Sequence, residues 1–175
     1  MKALKWFIAV VAVVLLGIVG TGLALPGTWE AQSEITVAAS PEDVFGHLDS
    51  VEGWSGWAPL SAVEGARSGP ARGPGATLRW DDAEWGQGEW TLTETDSPRR
   101  VAYEVRVEEG ALITHGHVTL SPTSGGGTVI EWQESGDFGW NPVLAYMALG
   151  MKRLQGREME KSLVALQALL DSPGS

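Results

Sequence analysis

The last long segment of the chain is Asn141–Leu170, which reads NPVLAYMALGMKRLQGREMEKSLVALQALL. Pro142 suits the first turn of a helix, because an N–H at that position would have no intrahelical partner. Apolar residues then recur at steps of three and four in two stripes, so each stripe predicts one buried helical face. The stripes are Leu144, Met147, Met151 and Leu154, and then Met159, Leu163, Leu166 and Leu170. The longer step between them contains Gly156, so we expect one long helix with a kink there, or two helices in series.

The segment before this helix is rich in strand patterns. Alternating or β-branched residues occur at 33–39, 61–67, 76–81, 89–95, 101–107, 112–120 and 128–134, and glycine- or proline-rich turns separate most of them. Ser40-Pro41-Glu42-Asp43 predicts a helix start with Ser40 as N-cap and Asp43 at the capping-box position. A second short helix carries Trp54 and Trp57 and ends at Pro59.

This order of elements predicts an α+β fold: one strand, two short helices, an antiparallel meander and a long C-terminal helix. We expect a curved sheet of about six or seven strands that wraps around the C-terminal helix. Where a curved sheet and a single helix separate, side chains do not fill the space between them. The pattern therefore predicts a concave, largely apolar cavity.

The N-terminal segment has a different character. Trp6 to Leu25 is a run of about 20 uncharged residues, which is long enough to cross a bilayer as a helix. A signal peptide is the alternative, because Gly22-Leu23-Ala24 resembles a small-residue cleavage site. A signal peptide usually has an apolar core of only about 7–15 residues, so we favour an uncleaved transmembrane helix. Lys2 and Lys5 precede the run, which predicts a single-pass membrane protein with a cytoplasmic N-terminus and a domain on the outer side.

Charge and cysteine content exclude several functions. The 22 acidic residues and 10 of the 12 basic residues follow the apolar run, which gives that part a formal charge of −12. Such a charge argues against nucleic acid as a partner and against docking on an anionic lipid surface. The chain has no cysteine, so it forms no disulfide and performs no thiol chemistry.

Four segments carry a resemblance to a known family. They are Ala38–Phe45 (AASPEDVF), Val51–Leu60 (VEGWSGWAPL), Gly88–Val101 (GEWTLTETDSPRRV) and Gly127–Trp132 (GTVIEW). In this order they resemble the polyketide cyclase/dehydrase-like branch of the START/SRPBCC superfamily. The resemblance implies the helix-grip fold and a deep pocket for hydrophobic ligands such as lipids, sterols or polyketides. Its members include carriers, cyclases, hydrolase-like enzymes and co-chaperones, so the function has to be argued from the site.

The resemblance covers roughly Ser33 to Leu170. We therefore divide the chain into a transmembrane anchor and linker at 1–27, a START-like ligand-binding domain at 28–171 and a tail at 172–175.

The candidate ligand-binding residues are aromatic and aliphatic side chains on the concave face of the sheet, on the second short helix and on the C-terminal helix. They are Trp54, Trp57, Leu78, Trp80, Trp90, Leu92, Tyr103, Val105, Ile130, Trp132, Met147 and Met151. Ordinary core filling is the alternative for each of them. For Trp54 and Trp57 the alternatives are a lid over the cavity and a seal at the junction of helix and sheet, and we favour the seal.

Few residues offer acid–base chemistry near such a cavity. The weak catalytic candidates are Glu94, Glu134, Tyr103 and His115. A buried carboxylate with a raised pKa would remove a proton next to a carbonyl, as an aldol-type cyclisation requires. His115 and His117 share one side of a strand, but no third and fourth ligand follows at metal spacing, so we predict no metal site and no cofactor.

Three functions remain open. The first is a membrane-anchored binding domain for a hydrophobic small molecule or lipid, favoured by the anchor and the many tryptophans. The second is a cyclase- or dehydratase-like enzyme, which requires a carboxylate such as Glu94 or Glu134 at the floor of the cavity. The third is an interaction module whose core is filled and encloses no cavity.

Overall fold

The computed structural model describes residues 2–83 and 86–172. In chain order the helices and strands are α1 (Lys2–Ala24), β1 (Thr28–Val37), α2 (Pro41–Phe45), α3 (Val51–Ser55), β2 (Ala66–Ser68), β3 (Thr77–Asp82), β4 (Gly86–Asp96), β5 (Arg100–Val107), β6 (Leu112–Pro122), β7 (Thr128–Asp137) and α4 (Pro142–Leu170). Short 3₁₀ turns at Pro59–Ala62 and Glu108–Gly110 complete the series. The predicted α+β fold is confirmed.

The strands in this part of the chain form one seven-stranded antiparallel sheet in the order β1-β7-β6-β5-β4-β3-β2. Strands β2 to β7 form a meander, and β1 pairs with β7 along its whole length, from Thr28 opposite Asp137 to Val37 opposite Thr128. The first strand is longer than the sequence predicts, because it begins at Thr28 rather than Ser33. In the predicted weak strand at 61–67, Ser61 and Ala62 belong to a 3₁₀ turn and 63–65 have no regular structure, and only 66–68 pair with β3.

Both short helices begin at serine N-caps. Ser40 Oγ accepts a hydrogen bond from the Asp43 N–H at 3.2 Å, so the predicted Ser40 N-cap is confirmed, and the Ser40 hydroxyl in turn donates to Asp43 Oδ2 at 2.7 Å. Ser50 Oγ accepts from the Gly53 N–H at 3.1 Å in the same way. These caps fix two helices that are too short to be stable alone, and they direct Trp54 into the core.

Helix α4 is one continuous helix, so of the two predicted alternatives, one long helix is correct and two helices in series near Gly156 is wrong. One stripe of buried or half-buried residues runs along its whole length: Ala145, Ala148, Met151, Gln155, Met159, Ser162, Leu163, Leu166 and Leu170. Tertiary packing of this stripe offsets the cost of about 1 kcal/mol for a glycine within a helix.

The first predicted stripe on this helix is displaced by about one residue. Met147 and Leu154 are more than half exposed, whereas Ala145 and Ala148 are buried. The helix packs on β1 and, at its start, on α1. Small side chains allow this close packing, and for that reason the alanines rather than the larger residues face inward.

Helix α1 is the one helix among the described residues that is long and apolar enough to cross a membrane, judged by length and composition. It is exposed over nearly its whole length, and Gly22 is its one buried residue. Gly22 lies so close to Pro142 that a Cβ there would overlap it. Tyr146 Oη donates a hydrogen bond to the Ile18 carbonyl at 2.8 Å. The end of α1 therefore packs on the first turns of α4.

On the concave face of the sheet, three aromatic side chains lie across glycines of neighbouring strands. A Cβ on any of these glycines would overlap the ring that covers it. The pairs are Trp29 with Gly136, Trp80 with Gly88 and Tyr103 with Gly116. An aromatic ring thus covers the backbone where the neighbouring strand has no side chain, and the inner face stays closely packed.

We predict that Gly116→Ala destabilises the fold by about 1–3 kcal/mol, because the added methyl group displaces the Tyr103 ring from a tightly packed position. Gly125→Ala, in the β6–β7 turn where the nearest atom is Thr123 Oγ1 at 3.9 Å, is the matched control. Urea unfolding followed by tryptophan fluorescence measures both variants. Equal stability of the two would show that Tyr103 is not held against Gly116.

Candidate functional site

A cavity of about 270 Å³ lies between the concave face of the sheet and α4. This volume is just below the usual range of about 300–1,000 Å³ for small-molecule sites. Its walls are mostly apolar and are formed by Trp54, Ala58, Pro59, Leu60, Val63, Trp80, Trp90, Tyr103, Val105, Val107, Thr114, Trp132, Glu134, Gln155, Glu158 and Met159. The sheet, the segment after α3 and α4 all contribute, so the cavity occupies the predicted position.

A hollow of about 420 Å³ also exists, but its lining is polar. It includes Glu30, Gln32, His115, His117 and Gln133. These residues lie on the outer face of the sheet, opposite the core. That hollow does not have the apolar lining expected of a hydrophobic site.

An aromatic cluster fills much of the concave space and explains why the cavity is small. The Trp54 ring is at its centre, with ring centroids 4.7 Å from Trp57, 4.9 Å from Tyr103, 5.4 Å from Trp90 and 5.5 Å from Trp132. Trp54 Nε1 donates to the Leu48 carbonyl at 2.6 Å, so the ring has a fixed position. Such offset and edge-on arrangements are favourable beyond the area they bury.

The polar part of the cavity is built on three strands. Tyr103 on β5, Gly116 on β6 and Glu134 on β7 lie in one row across the sheet. Because Gly116 has no side chain, the Tyr103 hydroxyl reaches over it and donates a hydrogen bond to Glu134 Oε1.

Two further donors complete this network. Trp132 Nε1 donates to Tyr103 Oη at 2.8 Å, and Gln155 Nε2 on α4 donates to Glu134 Oε2 at 2.5 Å. Both carboxylate oxygens of Glu134 therefore have a donor. The network also joins the sheet to α4, since Gln155 is the helical partner.

Burial determines the protonation of this pair. Glu134 is only 6% exposed, and burial raises the pKa of its carboxyl group above the ordinary value, although the hydrogen bonds from Tyr103 and Gln155 oppose the change. Burial also raises the pKa of the Tyr103 phenol well above its ordinary value, and the nearby Glu134 charge adds to that effect. The phenol therefore stays protonated and acts as a donor to Glu134.

The structure places about half of the predicted site residues at the cavity. Those that line it are Trp54, Trp80, Trp90, Tyr103, Val105, Trp132 and Glu134. Leu78, Leu92 and Ile130 lie on the same face but are fully packed in the core. Trp57 is buried beside Trp54 and Trp132 and donates to the His47 carbonyl at 3.3 Å, so it seals the junction of helix and sheet.

Two acid–base candidates lie elsewhere. A β-bulge between Leu92 and Glu94 shifts the register by one residue, so Glu94 pairs with the outward-facing Ala102 and is exposed. Without the bulge, Glu94 would share the inner face with Leu92, as the simple alternation predicts. His115 also faces outward, where its Nδ1 lies 3.4 Å from Glu104 Oε2. Neither residue is near the cavity.

The methionine predictions for α4 need the same correction. Met147 is 52% exposed and lies outside the cavity, because the buried stripe of α4 runs through Ala148 instead. Met151 is half-buried against the core but is not among the lining residues. Met159, one residue of the second stripe, is the methionine that contacts the cavity.

Sequence reasoning missed several lining residues. They are Ala58, Pro59, Leu60, Val63, Val107, Thr114, Gln155, Glu158 and Met159. Gln155 carries a signal that could have found it, because it lies four residues before Met159 and is a polar residue on the buried stripe. Val63 and Leu60 lie in a segment without regular periodicity, where sequence gives no direction for a side chain.

Comparisons with known proteins agree with this architecture. The family described as "Polyketide cyclase / dehydrase and lipid transport" matches residues 28–171. No match was found among curated proteins.

Solved structures with the same fold are distant in sequence. A protein of Nitrosospira multiformis is 20% identical with a TM-score of 0.61, over 82% of this chain and 97% of that one. The Aha1 dimer from Colwellia psychrerythraea is 17% identical with a TM-score of 0.56, over 83% and 98%. DynU16, from the dynemicin biosynthetic locus, is 13% identical with a TM-score of 0.57, and this chain covers 47% of its length. At these identities the likeness concerns the fold. With a helix-grip sheet, a long C-terminal helix and a family match over most of its length, the chain belongs to the polyketide cyclase/dehydrase and lipid transport family.

Proposed function

We propose that this protein is a membrane-anchored binding domain for a hydrophobic small molecule or lipid, held in the cavity between the sheet and α4. The observation that carries the proposal is the composition of the cavity wall. Tryptophan and aliphatic side chains provide an apolar surface, while Glu134 and Gln155 provide one polar region. Binding sites for small apolar ligands commonly combine a broad apolar wall with a few placed polar groups.

The size of the cavity limits the ligand. Because the aromatic cluster fills much of the concave space, about 270 Å³ remains. A small apolar molecule or part of a lipid chain suits this volume better than a sterol. The polar end of such a ligand would lie next to the Glu134 carboxyl group.

The anchor is part of the same proposal. Gly22 packs closely on Pro142, and Tyr146 hydrogen-bonds to the Ile18 carbonyl. Removal of α1 as a signal peptide would leave both positions on α4 without these contacts. These contacts support an uncleaved helix. Lys2 and Lys5 before the uncharged run support a cytoplasmic N-terminus and a domain on the outer side of the membrane.

We predict that Val63→Trp reduces the affinity for a dansyl-labelled fatty acid by about tenfold or more, because a large side chain from the cavity wall occupies the ligand volume. Ala62→Trp is the matched control, because Ala62 is next to Val63 in the chain but is exposed and does not line the cavity. Energy transfer from protein tryptophans to dansyl, measured with the full chain in nanodiscs, reports binding. Equal transfer in both variants would contradict a ligand site in this cavity.

A second candidate function is proton transfer by Glu134. The observation that favours it is a buried carboxyl group with a raised pKa in the cavity wall, which is the requirement stated for a cyclase- or dehydratase-like enzyme. As a general base, Glu134 would remove a proton from the carbon next to a ligand carbonyl, and Gln155 or Tyr103 would stabilise the resulting charge distribution. Glu158, also in the wall, is half-buried and pairs with Lys161 at 2.6 Å, so it is less suited to this role.

For this second function we predict that Glu134→Gln lowers deuterium exchange at the α-carbon of an apolar ketone such as 2-decanone by about 100-fold or more. The variant keeps the shape of the side chain but lacks the basic oxygen. Glu160→Gln, on the exposed side of α4, is the control. If the wild type exchanges no faster than Glu134→Gln, the protein is a binding domain without this activity.

The raised pKa of Glu134 also predicts a pH dependence of stability. The unfolded chain loses this proton at a lower pH than the folded chain, so the free energy of unfolding falls as the pH rises above the unfolded pKa of about 4.3. Glu134→Gln removes this fall and gains stability relative to the wild type as the pH rises above about 4.3. Urea unfolding at several pH values measures the difference. A constant difference across this range would show that the pKa of Glu134 is not raised.

A further inference from the structure

The first half of α4 carries an unusual surface. From Pro142 to Met151 it has no charged residue, yet its large apolar side chains are mostly exposed. Together with the preceding loop, the exposed residues are Trp140, Val143, Tyr146, Met147, Leu149 and Leu154, which we call the apolar face of α4. Trp140 is 91% exposed. An apolar face of this kind at the surface of a domain marks a contact with a partner or a membrane.

The apolar face begins directly beside α1. Pro142 lies against Gly22, and the Tyr146 hydroxyl donates to the Ile18 carbonyl. Ile18 lies seven residues before the end of the uncharged run at Leu25, which is about 10 Å along a helix. If α1 spans the bilayer, the start of α4 is therefore level with the outer leaflet. Helices in the membrane interface are buried to a similar depth of about 5–10 Å.

The first charges of α4 lie near the end of the apolar face. Lys152 and Arg153 follow Met151 directly, and both are exposed. Long basic side chains at the end of an apolar segment reach lipid headgroups while their stems stay in the apolar region. The domain as a whole is acidic, so attraction to anionic lipids does not supply this contact, and insertion of apolar side chains does.

We propose that Trp140 and the first three turns of α4 insert into the headgroup–acyl boundary of the outer leaflet, beside the α1 span. This inference rests on the anchor described under the proposed function. The same helix continues from Leu154 to Gln155 and Met159 in the cavity wall. One end of α4 thus lies in lipid while the next two turns line the cavity.

The absence of cysteine from the sequence makes the test direct. Met147→Cys and Leu149→Cys are labelled with the environment-sensitive dye NBD in the full chain, in nanodiscs of dioleoylphosphatidylcholine. Val164→Cys is the matched control, because Val164 is on the same helix and 55% exposed, similar to Met147. Val13→Cys, in the middle of α1, reports the anchor itself.

We expect blue-shifted emission at positions 147 and 149, and quenching by doxyl-labelled lipid that is at least about twofold stronger than at position 164. Quenching at position 13 with none at 147 and 149 overturns this inference and leaves the anchor intact. Absence of quenching at all four positions overturns both. A blue shift at position 147 without lipid quenching indicates that a second copy of the chain covers the apolar face. Equal quenching at position 164 indicates that the whole helix lies on the membrane. Either result overturns the inference. The Val63→Trp experiment measures ligand binding separately, so failure of the membrane contact is distinguished from failure of the ligand site.

Discussion

The indole ring of Trp54 joins the short helices to the concave face of the sheet, and the arrangement of the cavity depends on it. Its N–H is fixed on the Leu48 carbonyl, and its faces and edges contact Trp57, Trp90 and Trp132. A curved sheet with one covering helix leaves a wide gap. The aromatic cluster fills most of that gap, and the remainder is the cavity.

The polar region of the cavity depends on a missing side chain. In an antiparallel sheet, residues opposite one another on adjacent strands share a face, so Tyr103 and Glu134 are separated by the position of Gly116. Any side chain there would keep the hydroxyl and the carboxyl group apart. Glycine lets them meet, and burial then raises the pKa of Glu134. One arrangement therefore produces both a rigid core and a carboxyl group that binds a proton more tightly than usual.

Helix α4 divides into two structurally different parts within one continuous helix. Its buried stripe is continuous, but alanines form it in the first half and larger residues form it in the second. Where the residues of the stripe are small, the helix packs closely on its neighbours, β1 and α1, and its larger side chains are exposed to solvent. Where the residues of the stripe are large, Met159 and Gln155 complete the cavity wall. The distribution of residue size along one helix thus separates an exposed apolar surface from a cavity wall.

The sequence by itself determined the element order, the Ser40 N-cap, the apolar N-terminal helix and the concave face. Each of these depends on local signals, such as an N-cap serine, a period of two in a strand or an uncharged run, and these signals act over a few residues. The tertiary structure decided the rest of the site. The bulge after Leu92 turned Glu94 outward, the row through Gly116 brought Tyr103 to Glu134, and close packing on β1 moved the buried face of α4 from Met147 to Ala148. Register and packing distance are set between segments far apart in the chain, so they are decided only when those segments meet.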